Sequence, residues 1–389
     1  MALPQRCAAV VVGAGPAGLA VVGNLLERQV GRIAWVDPCF EAGRVNKKYR
    51  EVPSNTKVSF FQAYATAVQP FRTVISSTPI PNAFLTISKL DQNKTCTLDH
   101  AADMVRALTD GIVGMDEVDQ CVGTVTAATL ENSRWTVSIR QTSGDIEIET
   151  TRLIMCTGSS PTNLPIPLST MNRLDLDVVL KPSELATRLD RHTPQTVAVV
   201  GASHSAILAL LNLVQLARSS HGDLRIKWFT RHPLRYAEFM DGWILRDNTG
   251  LKGLAAEFAR QQLEDDRLPK SEAGRFITKI DCGDGQEAAQ FDAHFPSCDH
   301  IVHAVGYTRD PLPQLTLREA GKAEPETLLQ PDFDHETGGF YDQHGRVIPG
   351  LYGAGIAFPA KVVDPLGNVE YAVGFWKFMV FLKRVIPGW

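Results

Sequence analysis

The stretch that decides the fold is residues 8–18, Ala-Ala-Val-Val-Val-Gly-Ala-Gly-Pro-Ala-Gly. Its apolar start predicts a buried strand, which runs through a glycine turn into a helix over Leu19–Gln29. Gly13, Gly15 and Gly18 have the G-x-G-x-x-G spacing. In that pattern the first glycine permits a tight turn, the second lets the backbone approach a pyrophosphate, and the third lets the helix pack closely on the sheet.

An acidic residue follows at the place this pattern requires. The next β-rich stretch, Arg32–Val36, is followed directly by Asp37. A carboxylate there can accept hydrogen bonds from ribose hydroxyls, while the free N–H groups at the helix start favour phosphate. The N-terminal segment therefore predicts a βαβ unit that binds a dinucleotide.

The same order of elements recurs in residues 196–206, Thr-Val-Ala-Val-Val-Gly-Ala-Ser-His-Ser-Ala. Gly201 follows the apolar strand, and a helical run covers Ile207–Ala217. Ser203 and Ser205 take two of the small positions, where their hydroxyls can donate to phosphate at a helix start. The chain thus carries a second predicted dinucleotide-binding unit.

The second unit ends differently from the first. Leu224–Thr230 is followed by Arg231 instead of an acid, and Arg235 comes soon after. A guanidinium binds a 2′-phosphate through two parallel hydrogen bonds, whereas a carboxylate repels it. This predicts NADPH rather than NADH, the alternative being that both arginines form a solvated surface. His204 is interpreted as a surface residue at the helix start and not as a catalyst.

Composition limits the class of protein. The 389 residues are 44% hydrophobic and 21% charged, as in a soluble globular protein of two domains. A net charge of −4 without a basic run predicts no nucleic-acid partner. The apolar stretch Ala8–Gly23 is broken by glycines and Pro16 and is shorter than the roughly 20 residues of a membrane span, so none is predicted.

The seven cysteines are dispersed, with no C-x-x-C pair and no zinc spacing. This pattern is typical of reduced thiols in the cytoplasm, and it predicts neither a metal site nor a redox dithiol.

An insertion is the simplest arrangement of domains. We predict a first domain over residues 1–160 and 306–389, with a second domain over 161–305 inserted into it. The fold class is α/β, with two Rossmann-like dinucleotide-binding domains of the three-layer ββα type. Further local predictions are antiparallel strands Gln120–Ala127 and Arg134–Gln141, a connecting excursion Asp310–Asp334, a hairpin at Phe340–Ile348 and a C-terminal helix Val369–Val385. The segment Gly43–Tyr64 is interpreted either as a solvated loop or as a segment whose Lys47, Lys48, Asn55 and Lys57 contact flavin or an acidic substrate.

Several motifs in a fixed order resemble a known group of proteins. The two glycine turns are joined by Thr-Gly at 157–158, Gly-Tyr-Thr-Arg-Asp-Pro at 306–311 and Gly-Leu-Tyr-Gly-Ala-Gly at 350–355. Together they resemble the flavoproteins with paired FAD and NAD(P) domains, which include thioredoxin-reductase-like enzymes and flavin-containing monooxygenases. The resemblance covers nearly the whole chain.

The resemblance also implies which residues contact each cofactor. For FAD these would be Gly13, Gly15, Gly18 and Asp37, with Val125 in the strand passing the adenine, Gly158 near the pyrophosphate, and Gly355 and a helix start around Asn368 facing the flavin. For NADPH they would be Gly201, Ser203, Ser205 and Arg231.

Two departures from the reductases of this group disfavour a disulfide reductase. Ile356 stands where those reductases usually have an aspartate, and the redox dithiol is missing. The missing dithiol, with the Gly-Ala-Ser-His-Ser-Ala turn and the Thr-Arg-His at 230–232, favours a monooxygenase. The implied reaction reduces FAD with NADPH and transfers oxygen to a small molecule through a flavin C4a-peroxide. Because the cofactor carries this chemistry, no catalytic side chain is predicted.

Two alternatives stay open, a flavoprotein reductase or dehydrogenase using NAD(P)H without a dithiol, and a non-catalytic FAD-binding protein. Homo-oligomerisation is left open as well.

Overall fold

A computed structural model describes residues 5–318 and 327–389, and the chain in it forms two units. The first unit comprises Met1–Lys47, Thr56–Ser159 and Arg309–Trp389, and the second comprises Lys48–Asn55 and Ser160–Thr308. The chain therefore leaves the first unit beside the predicted boundary at 160 and returns three residues after the predicted one at 305. A short segment before Thr56 belongs to the second unit, which the sequence did not indicate.

A seven-stranded sheet forms the centre of the first unit. Its middle strands are parallel and almost wholly apolar, because both faces of the sheet are covered. The strands, in order across the sheet, are Asp332–Phe333, Gly339–Tyr341, Val347–Gly353, Leu153–Met155, Ala9–Val12, Ile33–Asp37 and Val118–Val122.

Alternate residues of these strands pack against two different layers. Val11 and Trp35 belong to a core with the helices, whereas Val10 and Val36 belong to a core with a second sheet. The second sheet comprises Arg6–Cys7, Ile146–Thr150, Arg134–Arg140, Thr124–Glu131, Gln314–Leu317 and Thr327–Leu328. The helices are Pro16–Glu27, Val58–Ala65, Gln69–Ser77, Ala83–Lys89, Leu98–Val113 and Phe375–Val385, with a 3-10 turn at Ile386–Gly388. The predicted α/β fold of the ββα type is confirmed.

The remaining strands and one helix of this unit are short. A two-stranded hairpin is formed by Ala360–Val363 and Val369–Ala372. The strand Thr95–Thr97 precedes the longest helix. Four elements contain points where the chain passes between the units, namely the helix Gly43–Lys48 and the strands Pro53–Lys57, Ser159–Pro161 and Tyr307–Arg309.

The predicted strand Gln120–Ala127 is wrong, because it joins two strands of different sheets. Gly123 separates Val118–Val122 from Thr124–Glu131. A Cβ at Gly123 would lie 2.7 Å from the Arg140 carbonyl oxygen, so the chain passes between the sheets at a residue without a side chain. The predicted antiparallel partner is present as Arg134–Arg140, and the predicted hairpin near Phe340 is also present.

Three other local predictions need correction. Gly43–Tyr64 is no loop, since it contains two helices and a strand. Asp310–Asp334 contributes strands to both large sheets, and its residues 319–326 lie outside the described chain. The C-terminal helix begins at Phe375, because Val369–Ala372 pairs as a strand with Ala360–Val363.

The second unit contains a five-stranded parallel sheet. Its strands, in order, are Asn172–Arg173, His300–His303, Gln195–Val200, Leu224–Thr230 and Ile277–Asp281. The helices are Leu176–Val179, Pro182–Leu185, His204–Ser219, Gly253–Phe258 and Glu287–His294. Shorter elements are the π-helical turn Ala259–Leu263, the 3-10 turns Leu268–Lys270, Ala273–Arg275 and Phe295–Ser297, and the hairpin Glu238–Phe239 with Ile244–Leu245.

Membrane-crossing helices and metal-binding clusters are both absent from the described residues. None of the helices there has the length and apolar character needed to cross a bilayer. The same part of the chain contains no cluster of His, Cys, Asp and Glu side chains suited to a metal ion.

Candidate dinucleotide-binding sites

Two glycines of the first turn are required by the packing of the protein itself. Gly13 has φ +106°, and a Cβ there would lie 2.4 Å from the Cys156 carbonyl oxygen. A Cβ at Gly18 would lie 1.9 Å from the Gly13 carbonyl oxygen. Both distances are far below van der Waals contact, so these positions hold the helix against the strand.

Gly15 is different, because its protein neighbours leave room for a side chain. It has extended backbone angles, φ −81° and ψ −176°, and caps the helix Pro16–Glu27 without a side-chain hydrogen bond. The nearest protein atom to a Cβ at Gly15 is the Gly43 Cα, 4.0 Å away. A small residue beside an uncapped helix start is what an approaching pyrophosphate needs, so this turn fits a dinucleotide.

Asp37 lies at the end of its strand, next to the first turn. One carboxylate oxygen accepts the Ala14 N–H at 2.7 Å, and the other accepts the N–H groups of Cys39 and Phe40 at 2.8 Å each. Asp37 therefore braces the turn from below, a role that the sequence did not indicate. Each carboxylate oxygen has two acceptor sites, so a ribose hydroxyl can still bind here.

The other residues assigned to FAD by resemblance lie in the first unit. Val125 is buried in the strand Thr124–Glu131, where the ladder to the next strand is irregular. Gly158 has φ +88° and lies beside the Asp310 carboxylate. A Cβ at Gly355 would lie 2.6 Å from the Ala17 Cβ, so the terminal glycine motif packs on the first turn of the first helix.

The predicted helix start around Asn368 is wrong. Asn368 starts no helix but lies in the turn of a hairpin, where its side chain donates to the Asp364 carboxylate at 2.8 Å. The helix near this point begins after Gly374, which has φ +146°. The argument that a helix dipole acts from Asn368 therefore fails.

The second turn repeats the backbone of the first. Gly201 has φ +130°, and a Cβ there would lie 2.3 Å from the Ala304 carbonyl oxygen. Ser203 has φ −86° and ψ −178° and caps the helix His204–Ser219 without a side-chain hydrogen bond. This helix start is also suited to a phosphate.

A cavity of about 470 Å³ opens beside the second turn. Its walls include Gly201 and Ser203 from the turn and, from the segments after the neighbouring strands, Arg231, His232, Arg235 and Glu287. The cavity thus brings together most of the residues predicted to bind NADPH. Ser205 is not one of the residues that line it.

Glu287 is the residue that sequence reasoning missed. Its Oε1 atom lies 2.9 Å from Nε of Arg231, so an acid does accompany the predicted phosphate ligand. The prediction depends only on the residues that directly follow the strand Leu224–Thr230. Glu287 lies in the helix Glu287–His294, much later in the chain. Arg235 forms no ion pair within the described residues.

His204 is no exposed surface residue, contrary to the prediction. It is half-buried, and its Nδ1 is buried without a hydrogen-bond partner within the described chain. Burial, assisted by the positive charge of Lys252, lowers the pKa of His204 to about 4. The imidazole is therefore neutral near pH 7.

All seven cysteines are free thiols, and four of them are buried, namely Cys121, Cys156, Cys282 and Cys298. Burial raises the pKa of Cys96 and of Cys121 to about 11, and it raises the pKa of Cys156, beneath the first turn, still further. A thiol held protonated is a poor nucleophile.

Two Rossmann-type units, each with a glycine turn at an uncapped helix start, define a two-dinucleotide oxidoreductase. Residues 8–218 match the family model described as pyridine nucleotide-disulphide oxidoreductase. The chain belongs to this family, whose members bind FAD and NAD(P). The predicted class, the pair of an FAD and an NAD(P) cofactor, and the oxidoreductase activity are confirmed.

Individual relatives differ in their named activity. The chain is 68% identical to "Monooxygenase AgnR1" of Paecilomyces divaricatus, over 100% of this chain and 99% of that protein. It shares its fold with the ornithine N-hydroxylase KtzI of Kutzneria sp. 744, at TM-score 0.56 and 14% identity, covering 90% of this chain and 92% of that one. It also shares the fold of the bacillithiol disulfide reductase Bdr of Bacillus cereus, at TM-score 0.52 and 13% identity, covering 98% and 99%. The fold alone thus suits both oxygen transfer and disulfide reduction.

Proposed function

We propose that this protein is an NADPH-dependent flavin monooxygenase acting on a small molecule. The observation that carries the proposal is the 68% identity, over the full length of both chains, to a protein named as a monooxygenase. The free, mostly buried cysteines support it, because a dithiol relay needs two reactive sulfurs close to the flavin.

The first glycine turn is the proposed FAD site. The N–H groups of the first helical turn would bind the pyrophosphate, and Gly15 would let the backbone approach it. Asp37 would hold the turn in shape and accept a ribose hydroxyl. When bound, FAD accepts electrons from the nicotinamide and supplies the oxygen chemistry.

The second glycine turn is the proposed NADPH site. Ser203 and the start of the helix His204–Ser219 would bind the pyrophosphate. The cavity beside them offers the guanidinium groups of Arg231 and Arg235 for the 2′-phosphate. His204 would remain neutral and contribute no charge to this site.

Stopped-flow spectroscopy of the purified holoenzyme tests the proposed reaction. NADPH added without oxygen should bleach the flavin, and an oxygen pulse should then produce a transient absorbance band distinct from oxidised and reduced flavin. Direct return to oxidised flavin, together with fast electron transfer to a quinone or disulfide, would contradict the monooxygenase and favour a reductase.

A further inference from the structure

The cavity beside the second turn contains a negative charge where a phosphate is proposed to bind. We propose that Glu287 sets the coenzyme selectivity of this cavity by engaging Arg231, which leaves Arg235 as the principal guanidinium for the 2′-phosphate. This inference rests on the proposed NADPH site and deepens it. It assigns a role to an acid that lies outside both glycine motifs.

Glu287 is held in place by its helix. It is the first residue of Glu287–His294, where a carboxylate is favoured by the helix dipole. The ring of Phe291, one turn later, stacks on Phe295 with centroids 4.4 Å apart and contacts Phe229 at 5.6 Å. This aromatic packing fixes the helix start next to the strand that ends at Thr230, so the acid stays beside Arg231.

The ion pair faces the cavity. The side chains of Arg231 and Glu287 are 55% and 32% exposed, and both residues line the cavity together with Cys282. Burial raises the pKa of the Cys282 thiol, the charge of Glu287 raises it further, and Arg231 lowers it. The charges of Arg231 and Glu287 therefore lie on the same wall of the cavity, beside Cys282.

Arg235 offers a guanidinium without competition. It is exposed, lines the cavity, and forms no ion pair in residues 5–318 and 327–389. Its backbone carbonyl accepts the Leu251 N–H at 2.8 Å, which anchors the chain here while the side chain stays free. A guanidinium that breaks no ion pair with a carboxylate binds a phosphate at a lower cost in free energy.

Glu287 has two effects on a bound 2′-phosphate. It repels the phosphate through like charge, and it offers Arg231 a competing partner. Changing the carboxylate to an amide removes the repulsion and leaves Arg231 a weaker, uncharged partner, with little change of size. A ligand without the 2′-phosphate should be almost indifferent to the change.

Calorimetric titration of the holoenzyme with 2′,5′-ADP and with ADP tests the inference. Glu287→Gln should tighten 2′,5′-ADP by about three- to tenfold, more at low than at high ionic strength. Arg235→Ala should weaken it by roughly 10- to 150-fold. Arg231→Ala should lower the affinity for 2′,5′-ADP less than Arg235→Ala does. The affinity for ADP should change by less than about twofold in each variant.

A matched control is Glu272→Gln. Glu272 pairs with Arg218 at 2.6 Å and similar exposure in the same unit, but outside this cavity, so both affinities should stay unchanged. Unchanged or weaker 2′,5′-ADP binding by Glu287→Gln, or a larger loss from Arg231→Ala than from Arg235→Ala, would overturn the inference while leaving the NADPH site standing. If the wild type bound 2′,5′-ADP no better than ADP, the proposed coenzyme would itself be wrong.

Discussion

The two glycine turns of this protein share one backbone design and differ in their side chains. In each, a glycine with positive φ lies where a Cβ would clash with the carbonyl oxygen of the residue that follows the neighbouring strand, and a tryptophan donates its indole N–H to the carbonyl of that glycine. Trp35 donates to the Gly13 carbonyl at 2.9 Å, and Trp228 donates to the Gly201 carbonyl at 2.8 Å. The strand–turn–helix geometry is thus built twice by the same contacts.

The difference lies in how tightly each turn is closed. The first turn has Gly18 where the second has Ala206, and it is braced by a carboxylate that accepts three backbone N–H groups. The second turn is followed by charged side chains that line an open cavity. A rigid, closed turn suits a cofactor that stays bound, whereas an open, charged cavity suits a coenzyme that exchanges.

The largest expected effect comes from adding a side chain at Gly18, where the turn leaves no space for one. Gly18→Ala places a methyl group 1.9 Å from the Gly13 carbonyl oxygen, so the helix must move away from the strand. We expect a loss of about 4 kcal/mol or more in the free energy of unfolding, measured by urea denaturation. The counterpart Ala206→Gly should cost only about 1 kcal/mol, because it removes a methyl group that already fits. Equal losses would show that the turns are not closed differently.

The carboxylate beneath the first turn gives the next largest effect. Asp37→Ala leaves the N–H groups of Ala14, Cys39 and Phe40 without their acceptor. We expect a loss of about 2–3 kcal/mol in the unfolding free energy of the flavin-free protein. Arg231→Ala, at the corresponding strand end of the second turn, should change it by about 0.5 kcal/mol or less. An Asp37→Ala protein with the unfolding free energy of the wild type would show that Asp37 does not stabilise the turn.

A pH effect should distinguish the two helix starts. Pro16 does not titrate, whereas the pKa of His204 is lowered to about 4 by burial and by Lys252. As pH falls from about 6.5 to 4, the unfolded chain binds a proton that the folded protein does not, so stability decreases. Unfolding curves across this range should show that the free energy of unfolding falls by about 1–2 kcal/mol less in His204→Gln than in the wild type. Parallel curves would show that the pKa of His204 is the same in the folded and the unfolded chain.

The smallest effect is expected from the cysteines. Replacing exposed and half-buried thiols by Ser and buried ones by Ala should leave NADPH-driven turnover within about twofold of the wild type, since burial raises the pKa of thiols such as Cys121 and Cys156 and keeps them protonated. The assay is NADPH oxidation at matched flavin content. Loss of turnover traced to one cysteine pair, in a folded and yellow protein, would restore the disulfide reductase.

Local patterns predicted the parts of the molecule that depend on neighbours in sequence. The two βαβ units were predictable because their buried strands, glycines and helices follow each other directly in the chain. Glu287 was not, because the helix that brings it to Arg231 follows a different strand. The strand Val369–Ala372 was mistaken for helix, since its apolar residues pair across a hairpin that no local period reveals.

The central claim is that the two turns hold two different cofactors, and a pair of variants tests it most directly. Absorbance spectra would give the flavin content of purified Gly15→Val and Ser203→Val, and anaerobic NADPH would then be added. Apart from its chain neighbours, the protein atom nearest to a Cβ at Gly15 is the Gly43 Cα at 4.0 Å, so this variant should fold and yet be colourless. Ser203→Val should stay yellow but be bleached slowly. Full flavin content in Gly15→Val, or loss of flavin from Ser203→Val, would contradict the account.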